Sequence, residues 1–253
     1  MNEIDLIDVH FQIADKMIID DLSLRILKNQ LTCIIGPNGS GKSTLLQLIA
    51  GLIQPTRGKI KIENTAITSL SKKSLAKKIT FLPQQSRIPQ TLTVYEYVAL
   101  GRYCHKSWLG HLSKGDHIAI QHAIKLTNLS DLATHEAAKL SLGQQQRARI
   151  ALTLAQASPY LLLDEPMTGL DLKQQCHLLN LLIELKKLGK TIIVILHDLH
   201  QVRSIADQVI LMKAGKLKAI GHPAELLNIN TICDVFDCNR NILENAFEVP
   251  VNL

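Results

Sequence analysis

The chain has 253 residues, 46% of them hydrophobic and 20% charged, with 28 Lys and Arg against 22 Asp and Glu. That is enough apolar material to bury the core of one large domain, or of a core with a smaller lobe, so a folded chain is expected and not a disordered one. The formal charge of +6 is compatible with nucleic acid or an anionic membrane face, although Lys72, Lys73, Lys77, Lys78, Lys186 and Lys187 are read first as solvating exposed helix faces.

Five cysteines, Cys33, Cys104, Cys176, Cys233 and Cys238, are scattered with no CxxC pair, and no charged-then-apolar leader opens the sequence, so a reducing cytoplasm is expected. The longest apolar runs, such as Ile192 to Leu196, fall far short of the ~20 residues of a membrane-spanning helix. The chain itself is not expected to cross a bilayer.

From the N-terminus, residues Ile4 to Leu27 alternate loosely, with Leu22, Leu24 and Ile26 set against Ser23 and Arg25, which reads as half-buried antiparallel strands. Leu31 to Ile35 is instead a continuous apolar run, as in a buried parallel strand, leading through a glycine loop into a helix over Lys42 to Ala50 that Gly51 ends. Further strands are expected at Lys59 to Ile62, Thr80 to Leu82, Tyr160 to Leu163, Thr191 to Leu196, Gln208 to Met212 and Lys216 to Ala219. Between Leu82 and Tyr160 the pattern is helical. Thr93 with Glu96 forms a capping box, and Asp116 to Leu126 carries a helical period. The expected architecture is α/β, with a mainly parallel sheet, an N-terminal antiparallel β region and a helical lobe over residues 86–157 inserted into a core of residues 1–85 and 158–253, all within a single domain.

The segment GPNGSGKST, residues Gly36, Pro37, Asn38, Gly39, Ser40, Gly41, Lys42, Ser43 and Thr44, matches GxxxxGK[ST] in the required place between strand and helix. The glycines let backbone N–H groups turn inward around phosphates, the helix N-terminus adds partial positive charge, Lys42 reaches the outer phosphates and Ser43 offers a hydroxyl to Mg²⁺. In LLLDEP, Asp164 and Glu165 end a buried strand, where the first can order Mg²⁺ and the second can act as general base toward a water. The strand TIIVIL brings His197 to the corresponding strand edge, within reach of a γ-phosphate. In LSLGQ, Ser141 and Gln144 have capping-box spacing, and two readings stand: Ser141 caps its helix, or its hydroxyl and the helix N–H groups bind a phosphate. Gln84 by itself is a polar residue after a strand.

Taken in order, the glycine loop, Gln84, LSLGQ, LLLDEP, Gly169-Leu170-Asp171 and His197 resemble the nucleotide-binding subunit of ATP-binding cassette (ABC) transporters over nearly the whole chain. The resemblance implies a P-loop NTPase fold and two subunits packed head to tail. Each ATP then lies between the phosphate loop of one copy and Ser141, Gly143 and Gln144 of the other, with Asp171 communicating across the dimer. It also implies that Gln84 contacts Mg²⁺ and relays the nucleotide state. Two departures stand out. Leu142 replaces the first glycine of the usual LSGGQ and is expected to weaken closure. Ile13 falls where the family commonly stacks a tyrosine on adenine, which is expected to loosen base selectivity unless Phe11 substitutes.

Within the family, TVYEYVALGRY and the ending ILHDLHQVRSIADQVILMKAGKLKAIGHPAELL resemble importers of iron siderophores, haem and cobalamin. The sequence stops soon after, so no added regulatory domain is expected. The expected partners are two integral membrane permease subunits, which place the ATPase at the cytoplasmic face of the inner membrane, and an extracytoplasmic substrate-binding protein. Zinc or manganese import is the alternative cargo. A soluble ABC ATPase acting on nucleic acid, ribosomes or cofactor assembly is the alternative class, disfavoured because such proteins usually carry two cassettes or long coiled-coil insertions.

Overall fold

A computed structural model describes residues 3–106 and 110–239. These residues form two compact units, one made of residues 3–64 and 195–239 and the other of the described residues between 65 and 194.

In the first unit, β1 (Glu3–Ile13) pairs antiparallel with β2 (Lys16–Leu27) and with β4 (Arg57–Ile62). From Leu22 to Leu27, β2 buries every second residue, the signature of a sheet with one covered face. β3 (Leu31–Ile35) is buried at every position, so it needs cover on both faces, and it pairs parallel with β9 (Gln208–Lys213) from Thr32 opposite Gln208 to Ile35 opposite Leu211. β10 (Lys216–Gly221) returns antiparallel against β9. Helix α1 (Lys42–Ile49) leaves the end of β3 through the glycine loop and stops at Ala50, followed by Gly51 with φ of 68°, the left-handed residue expected after a helix end. Three short helices missing from the sequence reading complete the unit: α7 (Leu199–Ile205), α8 (Pro223–Leu226) and α9 (Ile229–Phe236).

The second unit opens with β5 (Thr65–Ala66) and α2 (Lys72–Lys78), the lysine-rich helix. β6 (Ile79–Leu82) pairs parallel with β7 (Tyr160–Asp164), and both β7 and β8 (Thr191–Ile195) are buried throughout. Between β6 and β7 lie α3 (Val94–Ala99), α4 (Lys114–Leu126) and α5 (Leu142–Ala155), each opened by a capping box in which the cap hydroxyl and the third helical side chain satisfy one another's backbone N–H groups. Their apolar faces meet around Val94, Tyr97, Val98, Ile120, Ile124 and Ala151. Helix α6 (Leu172–Lys187) links β7 to β8. The α/β class, the parallel strand pairing and the N-terminal antiparallel region agree with the sequence expectation.

One polar knot fixes the GRY segment against these helices. Gly101 has no room for a side chain, because a Cβ there would lie 2.3 Å from the Leu152 carbonyl oxygen. The next residue, Arg102, donates from Nε to Asp116 Oδ1 at 2.7 Å and from Nη1 to the Ala155 carbonyl at 2.8 Å, with both charged side chains nearly covered. Asp116 also caps α4 by accepting from the Ser113 hydroxyl and backbone. The Ser113 hydroxyl first, and then Arg102, hold the Asp116 carboxyl well below the usual carboxylate range. A carboxyl depressed by folding stabilises the protein above its unfolded value near 4, and that contribution is lost as pH falls below it. Asp116→Asn is therefore expected to cost on the order of 1–3 kcal/mol at neutral pH and to flatten the decline of thermal midpoint on acidification, as read by circular dichroism melts between neutral pH and pH 3.

Candidate functional site

The phosphate loop is gripped by the strands around it. A Cβ on Gly36 would sit 2.1 Å from the Met212 carbonyl oxygen of β9, and one on Gly41, whose φ is +95°, would meet Ile19 Cδ1 at 2.8 Å and the Ile18 carbonyl at 3.0 Å on β2. Glycine is required at 36 by close approach and at 41 by backbone conformation, with tight contacts besides. Gly215 N–H donates to the Ser40 carbonyl at 3.1 Å, closing the clamp from the β9–β10 turn. Gly39 has φ of +77° and open space around it. Lys42 is 6% exposed and donates from Nζ to the Gly36 and Pro37 carbonyls at 2.7 and 2.9 Å, so the cation sits over its own loop.

Ser40 supplies the test of fit for a phosphate. Its hydroxyl is buried and its Oγ has no hydrogen-bond partner within the protein, in a loop that ends at a helix N-terminus. A buried hydroxyl left unmatched in such a setting suits a phosphate oxygen. Of the other candidates in this unit, Asn38, Ser43 and Thr44 continue the loop into α1, and His197 is exposed just ahead of Asp198, the N-cap of α7. Ile13 is 61% exposed at the end of β1, with Met17, also exposed, at the facing start of β2, while Phe11 is half-buried.

In the second unit Asp164, 3% exposed, ends β7, and Glu165 follows in the left-handed region with φ of 49°. The Gln84 amide Nε2 donates to Glu165 Oε2 at 2.6 Å, which brings together two residues 81 positions apart. Ser141 is the N-cap of α5 in a complete capping box with Gln144, so the structural reading of that pair holds. Asp171 is the N-cap of α6, accepting from Gln174 N–H at 2.8 Å. A Cβ on Gly143 would lie 2.6 Å from Gln174 Oε1, so the second glycine of LSLGQ is a contact point between α5 and the start of α6.

Two residues escaped the sequence reading. Gln146 donates to the Pro166 carbonyl at 3.0 Å, directly beyond Glu165, and Arg149 donates to the Ser86 carbonyl at 3.0 Å, two residues beyond Gln84, while also bonding Gln146 Oε1. Both lie on α5, so the helix that LSLGQ opens is hydrogen-bonded to the segments carrying Glu165 and Gln84. The polar run QQQR at residues 144–147, in a helix whose Gln146 is almost fully buried, was the available signal. A groove of about 510 Å³ lies alongside, lined by Gln84, Arg87, Leu142, Arg149, Thr168 and Gly169 among others.

A glycine phosphate loop after a buried strand, paired acids ending another strand and a capped LSLGQ helix define the nucleotide-binding module of a transport ATPase. Residues 19–168 match the family model described as ABC transporter, and the chain belongs to that family. It is 41% identical to the probable siderophore transport system ATP-binding protein YusV of Bacillus subtilis (strain 168), over 94% of this chain and 87% of that protein. Among solved structures, it resembles an inward-facing metal-chelate type ABC transporter at 28% identity and a TM-score of 0.81, covering 94% of this chain and 90% of that one. It also resembles a dimeric, post-hydrolysis ATP-binding cassette bound to ADP and Pi at 30% identity and a TM-score of 0.78, covering 87% and 98%. The P-loop NTPase fold and ATPase class expected from the sequence agree with these likenesses.

Ser40→Ala separates a nucleotide contact from a structural one. Removing an unmatched buried hydroxyl should leave the thermal midpoint unchanged or slightly raised, while loss of a hydrogen bond to a charged phosphate weakens ATP binding roughly ten-fold. Calorimetric titration with ATP checks this, and an unaltered affinity would show that the hydroxyl faces no phosphate.

Proposed function

We propose that the chain is the ATP-hydrolysing subunit of an importer for a metal chelate, with ferric siderophore as first cargo and haem or cobalamin next. The observation that carries this reading is the grip of Gln84 on Glu165 beside the LSLGQ helix, in a chain 41% identical over 94% of its length to a siderophore-system ATP-binding protein. A second likeness, to a metal-chelate type transporter, supports the same cargo class. As such a subunit, the chain works at the cytoplasmic face of the inner membrane, bound to two permease subunits and served by an extracytoplasmic substrate-binding protein. The helical lobe beside Gln84 offers its surface to a short helix of each permease subunit.

In this reading the N–H groups of Gly36 to Thr44 take the phosphates, and Lys42 and His197 stabilise charge on the γ-phosphate. Ser43, Gln84 and Asp164 would hold Mg²⁺. Their hydroxyl, amide and carboxylate oxygens form the hard donor set that this ion prefers, and Gln84, with its Nε2 engaged by Glu165, offers its amide oxygen. The chemistry that Mg²⁺ supplies when bound is neutralisation of charge on the outer phosphates. Glu165 takes a proton from the attacking water, or orients it, with its carboxylate fixed by the Gln84 amide. Ile13 lies against adenine and gives less than an aromatic ring would.

Ser141, Gly143, Gln144 and Asp171 serve the nucleotide held by a second copy of the chain, making a homodimer. Leu142 and Leu172, about three-quarters exposed at the starts of α5 and α6, are apolar side chains that such a partner would cover.

Glu165→Gln should lower ATP turnover at least 100-fold and yield a persistent dimer with ATP on size-exclusion chromatography; turnover at the wild-type rate would remove Glu165 from this role. A strain lacking the chain should lose uptake of ferric siderophore while keeping zinc and manganese uptake, and the opposite pattern would reassign the cargo. Leu142→Gly is expected to retain or raise ATPase activity, since it restores the small residue at the closing surface. Abolished activity would make the leucine integral to the site.

A further inference from the structure

The lysines first read as plain solvation converge in the structure. Helix α2, of sequence KKSLAKK, lies beside the two-turn 3-10 segment Leu100–His105, and together with Lys106 they border a cavity of about 650 Å³ lined by Lys72, Lys73, Ala76, Tyr103, Cys104, Lys106 and Gly110. Lys73 Nζ donates to the Lys106 carbonyl at 2.6 Å, which fixes one lysine to the neighbouring segment rather than leaving it to solvent. Among the described residues, no carboxylate comes within ion-pair distance of Lys72, Lys73, Lys77 or Lys106, and the acid of this region, Asp116, is taken up by Arg102 and Ser113. Burial pushes the Cys104 thiol up, and Arg102, Lys77 and Lys73 pull against it.

Unmatched cations alone would suit any anion. What narrows the choice is that Leu100–His105 also exposes Tyr103 to 79% and Leu100 to 49%, placing an amphipathic ring and an aliphatic side chain on the element that carries the cations' apolar floor. A free phosphate gives no reason for Leu100 and Tyr103 to stand in water. A nucleic acid would use the ring and the charges but not the leucine. The headgroup layer of an anionic bilayer takes all three, because lysines bind its phosphates, a tyrosine sits at its interface and an aliphatic side chain enters its acyl boundary.

We propose that Lys72, Lys73, Lys106 and Tyr103 form a docking surface for anionic phospholipid headgroups, so that the ATPase touches the membrane directly as well as through its permease. It rests on the importer reading only for the presence of a membrane nearby; the binding itself is tested apart from transport.

The test is co-sedimentation of the full chain with vesicles of mixed phosphatidylglycerol and phosphatidylcholine, against vesicles of phosphatidylcholine alone. Binding is expected only to the anionic vesicles and should fall as salt is raised. Each lysine near an anionic surface contributes about 1 kcal/mol, or roughly five-fold, so Lys72→Ala/Lys73→Ala/Lys106→Ala should weaken partitioning on the order of 100-fold with basal ATPase activity unchanged. The matching triple Arg variant should keep binding, which separates charge from folding. Tyr103→Ser should weaken binding at low and high salt alike. Equal binding to neutral vesicles, undiminished partitioning of the triple Ala variant, or tighter binding of a single-stranded oligonucleotide through the same lysines would each overturn the proposal. Absence of vesicle binding with ATPase activity and siderophore uptake intact would overturn it while leaving the importer reading in place.

Discussion

Everything chemical in this chain depends on how little room the phosphate loop has. Two carbonyl oxygens, of Met212 on β9 and Ile18 on β2, approach the backbone where Gly36 and Gly41 stand, and neither position tolerates a methyl group. Close approach at Gly36 and left-handed backbone at Gly39 and Gly41 together set the loop's curvature. That curvature brings Lys42 Nζ over the Gly36 and Pro37 carbonyls and starts α1 at Lys42. The parallel pairing of β3 with β9 and the antiparallel pairing of β1 with β2 are thus conditions for the site as well as elements of the core.

In the second unit the organising interactions are hydrogen bonds from one helix. α5 begins at LSLGQ and binds through Gln146 to the Pro166 carbonyl and through Arg149 to the Ser86 carbonyl. The segments after Glu165 and Gln84 are therefore tied to the same rod, and Gln84 is bonded to Glu165 besides. A rigid-body shift of α5 would have to carry or break these bonds together. Such an arrangement ties the start of α5 mechanically to the pose of the candidate base without requiring any change in secondary structure.

Much of this was legible from the residues. Continuous apolar runs marked β3, β7 and β8 as strands buried on both faces, because no other short element hides every side chain. Capping boxes located the starts of α3 and α5 to the residue, since the spacing of hydroxyl and acid or amide is set by the helix itself. What remained hidden is what depends on contact between distant segments. No local pattern pairs Gln84 with Glu165 across 81 positions, and none shows that Ser40 points its hydroxyl into a place without a protein partner. Helices α7 to α9 were missed because four to eight residues carry too little period to separate from a turn. The lysines of α2 were seen as charge, but their convergence with Tyr103 is a property of packing.

The left-handed backbone at Glu165 has a consequence for variation. A side chain other than glycine, asparagine or aspartate at positive φ carries strain of about 1–3 kcal/mol, here sustained by the buried strand before it and by the Gln146 bond to Pro166 after it. Glu165 therefore occupies a position where branching at Cβ is penalised before any chemistry is considered. Valine, isoleucine or threonine would fail for reasons of geometry, and glycine would relax the turn while removing the acid. The repertoire of workable residues is narrowed twice, once by the reaction and once by the bend, and where hydrolysis made no demand the bend alone would favour glycine, asparagine or aspartate over glutamate.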